Sequence, residues 1–188
     1  MELKEQFKAL LERLLEETLA VYGGSLTSLV VFGSVGRGTP TFGSDIDVLL
    51  IAKDLPSGRM ARVRQFERVE CRLQPDLDRA KARGLSTHLS PIFRTETEMD
   101  LGGLIFLDMV SDARVLFDRG VFTRFIKRFR EKLTHLRSVR VKRAGAWYWV
   151  IKPDLRPGEE FDDSSQNPGR TLRGQCFLGC SQRVPRDS

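Results

Sequence analysis

Phe32-Gly33-Ser34-Val35-Gly36-Arg37-Gly38 leads through residues 39–44 into Asp45-Ile46-Asp47-Val48. A strand ending at Phe32 meets Gly33, which lets the backbone turn sharply and begin a helical turn. Ser34 and the backbone N–H groups behind it can then hold a phosphate, as helix starts do. Arg37 adds a fork of donors suited to phosphate oxygens. Asp45 and Asp47 are two residues apart, so on a strand both carboxylates project from one face while Ile46 and Val48 bury on the other. Two like charges held that close repel, and a divalent cation is the usual remedy. An oxygen-only donor set argues for Mg2+ or Mn2+ rather than zinc. A phosphate cradle beside an acidic pair is a place for metal-assisted phosphoryl or nucleotidyl chemistry. The glycine order excludes the P-loop, which needs a closing Gly-Lys-Ser/Thr. It also excludes the dinucleotide fingerprint, because a strand and not a helix follows the acidic pair.

The elements that must position these residues follow from periodicity. Leu3, Phe7, Leu10, Leu11, Leu14, Leu15 and Leu19 predict an amphipathic helix over 2–21, stopped by Gly23-Gly24. Residues 26–32 and 45–52 read as strands rich in β-branched and apolar side chains. Residues 59–83 read as a helix that Pro75 should break or kink. Residues 85–95 predict a third strand, with Pro91 placing it at an edge or a bulge. Residues 96–110 and 121–136 predict two further helices, and the aromatic run 146–151 a closing strand on the core. The expected division is an N-terminal helix over 1–22, a catalytic domain over 23–161 and a disordered tail over 162–188, where Ser, Gly, Pro and Arg dominate.

The order Gly33-Ser34, Arg37-Gly38, then Ser44-Asp45-Ile46-Asp47 resembles the DNA polymerase beta-like nucleotidyltransferase superfamily, and in its fuller form the small prokaryotic minimal nucleotidyltransferases. Six fixed positions match by chance on the order of once in 10⁷ starts at average residue usage. The resemblance covers about 26–95. It implies an α+β fold, a short mixed β-sheet packed against helices, with the site at one open edge. It also implies that an acceptor hydroxyl attacks the α-phosphate of a nucleoside triphosphate, ATP being the expected one, and that pyrophosphate leaves. Gly33, Ser34, Arg37, Gly38 and Ser44 would bind the nucleotide, and Asp45 and Asp47 would be the catalytic metal ligands.

One part of the family pattern is missing. A third carboxylate is expected on the strand containing Thr87-His88-Leu89-Ser90, and Ser90 stands about where it belongs; Glu96 or Glu98, just past the strand, are the nearest substitutes. The alternative to an active transferase is therefore a weakened nucleotide-binding or antitoxin-like module acting with a partner protein. The resemblance implies a HEPN-type partner.

Of the 188 residues, 31 are Lys or Arg and 25 are Asp or Glu, for a net charge of +6. Residues 119–143 hold ten of the basic residues against the single acid Glu131, a local +9 that leaves the rest of the chain at −3. Nucleic acid is a further candidate partner for that stretch. No apolar run approaches the length of a membrane span, and the first residues have no signal-peptide centre. Three cysteines and two histidines give no disulfide framework and no zinc pattern. The expectation is a cytoplasmic protein without a membrane partner.

Overall fold

Leucine and phenylalanine at three- and four-residue intervals wind the start of the chain into α1 (Leu3–Tyr22), which buries Phe7, Leu10, Leu11, Leu14 and Tyr22. Gly23, at φ 52°, takes the left-handed turn that ends the helix and sends its N–H back to the Leu19 carbonyl. The computed structural model describes residues 2–143, 146–154, 161–162, 171–172 and 178–179. They fall into two compact units, Met1–Ile126 and Lys127–Ser188.

The first unit is built on a four-stranded mixed sheet. β1 (Leu26–Phe32) is followed by the short helix α2 (Gly33–Gly36), then by β2 (Ile46–Ala52). α3 (Arg59–Ala82) crosses over to β3 (Leu89–Arg94), which lies parallel to β2; a parallel pair needs such a crossover. β4 (Arg114–Asp118) completes the order β3-β2-β1-β4, antiparallel to β1 as β2 is. Pro91 sits on the edge strand β3, where a missing N–H costs least.

Period-two alternation decides what each strand buries. Ile46, Val48, Leu50 and Ala52 share one hydrophobic cluster with α1 and with Phe66, Val69 and Leu73 of α3. Leu49 and Ile51 point the other way and are fully buried too, in line with strands covered on both faces. Behind them stand α5 (Ile105–Asp112), which meets β1, and the edge-to-face pair Phe106–Phe125, with ring centroids 4.5 Å apart.

The structure differs from the sequence expectation in four places. α3 runs through Pro75 without ending. The single helix expected over 96–110 is two, α4 (Glu96–Asp100) and α5, because Gly102 (φ 63°) and Gly103 (φ 146°) turn the chain between them. β4 was not anticipated at all. The aromatic run is a strand, β6 (Ala146–Val150), but it pairs antiparallel with β5 (Val139–Arg143) and not with the four-stranded sheet.

α6 (Val121–His135) crosses the division between the units. Its N-terminus is capped by Asp118, whose carboxylate accepts from the N–H groups of Phe122 (3.1 Å) and Thr123 (3.0 Å). In the second unit the ring of Trp147, 46% exposed, lies 5.1 Å from the Arg140 guanidinium carbon and 5.7 Å from Lys142 Nζ. The expectation for 162–188 falls mostly outside the described residues.

Candidate active site

β1 delivers the chain to Gly33 at φ 66°, a left-handed conformation that favours glycine. A Cβ added there would stand 2.3 Å from Asp47 Oδ2, so only a hydrogen fits between loop backbone and carboxylate. α2 is one turn long. Arg37 N–H donates to the Gly33 carbonyl (3.0 Å) and Thr39 N–H to that of Ser34 (2.9 Å), and Gly38, at φ 78°, reverses the chain. Phe32 offers no side-chain cap to the first N–H groups of this turn.

Residues 39–44 are fastened at several points. Thr41 N–H donates to Ser44 Oγ (2.8 Å), Ser86 N–H to the Phe42 carbonyl (2.9 Å), and Thr87 Oγ1 to the Ser44 carbonyl (2.8 Å). The Ser44 hydroxyl thus closes its own turn. That turn delivers Asp45 just ahead of β2, with its carboxylate 48% exposed and His88 Nδ1 3.7 Å away. Asp47 lies on β2, paired with Phe32 of β1 and Ser90 of β3. Phe32, Asp47 and Ser90 therefore form one row across three strands, each about 4.8 Å from the next.

Ser90, exposed, occupies the position beside Asp47 where the third carboxylate was expected. Neither proposed substitute reaches it. The pairing of β3 with β2 runs from Leu89 beside Ile46 to Arg94 beside Ile51, so Glu96 and Glu98 follow the end of the strand opposite Ser90, roughly 15 Å or more along it. Glu98 is moreover engaged: Arg62 Nη1 and Nη2 donate to its two oxygens at 2.7 and 2.8 Å, and Thr95 N–H donates at 2.9 Å. The Arg62 hydrogen bonds hold its carboxyl at a pKa of about 2. Among the described residues no three His, Cys, Asp or Glu side chains gather as a metal cluster.

The donor set fits one hard cation. Two carboxylates with substrate oxygens completing the shell is how proteins commonly hold Mg2+, and the Gly33 backbone leaves a cradle beside Asp47 that a methyl group would fill. A second cation that needs a third acid finds none in the row.

Two residues near the site carry no signal in the sequence. His88 is 81% exposed and reaches Asp45 from the segment before β3. Asp112, 3% exposed at the end of α5, pairs with Arg37. Arg37 was expected to face phosphate alone; it comes to the loop with a buried carboxylate attached.

Residues 3–99 match the nucleotidyltransferase domain family, and the chain belongs to it. The matched stretch takes in the loop, the acidic pair and strands β1 to β3. The chain is 23% identical over 141 residues to a Methanocaldococcus jannaschii protein named "Putative protein adenylyltransferase MJ1305", covering 73% of this chain and 90% of that one. A crystal structure of a toxin-antitoxin with AMP-PNP aligns at TM-score 0.43 and 18% identity, over 68% of this chain and 89% of that chain. A nucleotidyltransferase structure from Sulfolobus solfataricus aligns at TM-score 0.36 and 21% identity, over 61% and 86%.

Proposed function

We propose that this nucleotidyltransferase moves adenosine monophosphate from ATP to a hydroxyl acceptor, with Asp45 and Asp47 holding a divalent cation. The observation that carries the reading is the approach of the Gly33 backbone to Asp47, which brings the glycine loop against the acidic pair. Gly33, Ser34 and Gly38 shape the loop that binds the triphosphate, Arg37 meets its oxygens, and Ser44 fixes the turn that aims Asp45. The acceptor oxygen bonds to the α-phosphorus as the bond from that phosphorus to the bridging oxygen breaks. Pyrophosphate leaves with the bonding pair, and the hydroxyl proton passes to solvent or an acceptor base. Mg2+ or Mn2+ bound at the pair would neutralise triphosphate charge and ease loss of that proton.

The name of the Methanocaldococcus jannaschii relative supports an adenylyl donor and a protein acceptor. A HEPN-type partner, implied by the sequence resemblance, is the first acceptor to try. A second reading, nucleotide binding with slow turnover, is favoured by Ser90 in the row with Asp47.

Calorimetric titration with ATP, GTP, CTP and UTP, with and without Mg2+, tests the site. ATP should bind in a metal-dependent way, and Asp45→Asn with Asp47→Asn should abolish that binding while the fold persists. Unchanged affinity in the double variant would overturn the assignment.

A further inference from the structure

Asp112 is a buried carboxylate at the last residue of α5, where the helix dipole already places negative charge. Arg37 pairs with it through Nη1 on Asp112 Oδ2. The contact is not confined to side chains: a Cβ on Gly36 would stand 2.4 Å from the Asp112 carbonyl oxygen and 2.6 Å from that of Val31. The backbone of the phosphate loop therefore rests directly on the backbone of Asp112.

The Arg37 side chain is 43% exposed, and its guanidinium carries five N–H donors. Its hydrogen bond through Nη1 is the only one it makes among the described residues. The ion pair with Asp112 holds the Arg37 side chain at the loop, so an anion that reaches the loop meets the guanidinium there.

We propose that Asp112 is a positioning residue of the nucleotide site. It anchors one arm of Arg37 and the underside of the loop, so that the remaining donors of the fork are already in place when a triphosphate arrives. This rests on the reading of the Gly33–Gly38 loop as the triphosphate site. Pre-organisation of this kind lowers the ordering cost of binding, because the long arginine side chain is fixed in advance.

The test is a double-variant cycle on the full chain. Binding of ATP and of inorganic tripolyphosphate, each with Mg2+, is measured by calorimetry for the wild type, Asp112→Asn, Arg37→Ala and the two combined. Asp112→Asn should weaken both ligands by about tenfold, the scale of a charged hydrogen bond lost from its geometry. Added to Arg37→Ala, it should change either affinity by less than about twofold, since its effect passes through Arg37. A loss that persists undiminished in the Arg37→Ala background shows a merely structural role and overturns the proposal, as does unchanged affinity in Asp112→Asn.

Arg37→Lys probes the same link without disturbing the buried acid. It keeps a charge for Asp112 but gives up the fork, so triphosphate affinity should fall nearly as far as in Arg37→Ala with little change in melting temperature. Wild-type affinity in Arg37→Lys also overturns the proposal. The Asp45→Asn/Asp47→Asn variant separates the two levels. Loss of binding there with no effect at position 112 removes this inference alone, whereas a wild type that binds no triphosphate removes both.

Discussion

Ser90 stands beside Asp47 across the β2–β3 pair, where its hydroxyl can accept a hydrogen bond but holds no charge and takes up no proton at pH 7. Replacing it with an acid restores the missing member of the row without touching the core, because the position is exposed. Ser90→Asp should raise the rate of pyrophosphate release from ATP by about a hundredfold, the usual worth of a positioned general base. A rate no higher than that of the wild type would show that slow turnover does not arise at this row. Sequence spacing put Gly33 and Asp47 into one candidate site because both lie on a single strand–loop–strand segment, and the structure sets the Gly33 backbone against the Asp47 carboxylate. Asp112 was not legible, because an acid ending an amphipathic segment looks like any solvated one until its distance from Arg37 is known. His88 was passed over for the same reason, since nothing in its own neighbours marks Asp45 as a companion.

At the level of elements, β1 and β2 were legible as apolar runs, and Pro91 marked β3 as an edge before the sheet order was known. β4 was hidden by its length of five residues and its charged ends, Arg114 and Asp118; pairing with β1 makes it a strand. α4 and α5 were merged because Leu101 and Leu104 keep the helical period across a glycine pair. The join between α3 and α4 has a measurable signature. Glu98 completes a capping box with Thr95 and receives both arms of Arg62, and its pKa falls from 4.5 to about 2. A lowered carboxyl pKa contributes stability that is fully present above the unfolded value and lost as pH falls through the folded one. Above pH 5 the wild type should therefore melt about 2–4 °C higher than Glu98→Gln, for a partly buried pair worth about 1 kcal/mol. That gap should close as the pH approaches 2, and a gap independent of pH would show that the ion pair contributes nothing.

On the scale of the whole molecule, every candidate-site residue lies within Met1–Ile126. A chain ended after residue 161 should bind ATP with Mg2+ within about twofold of the full-length affinity, since no candidate-site residue belongs to 162–188. A larger loss in titration would show that residues 162–188 take part in the site. The charge is distributed differently from the chemistry. The +9 stretch over 119–143 begins where the sheet ends, and the remainder, site included, sums to −3. The overall +6 thus says little about the ground a triphosphate meets at the loop, where Arg37 with its partner Asp112, and Asp45 and Asp47, contribute to the local field.

The antiparallel pairing of β1 with β2 has a consequence for how such a protein can change. Phosphate loop and both aspartates occupy residues 33–47, one strand–loop–strand segment whose geometry is set by its own ladder, whereas the clasp from Asp112 to Arg37 spans 75 positions. On the proposed reading, the chemistry is therefore carried as a heritable cassette, short enough to be copied or recombined whole. Asp112 and Ser90 lie outside that cassette, so what tunes it can drift while the segment itself is passed on intact.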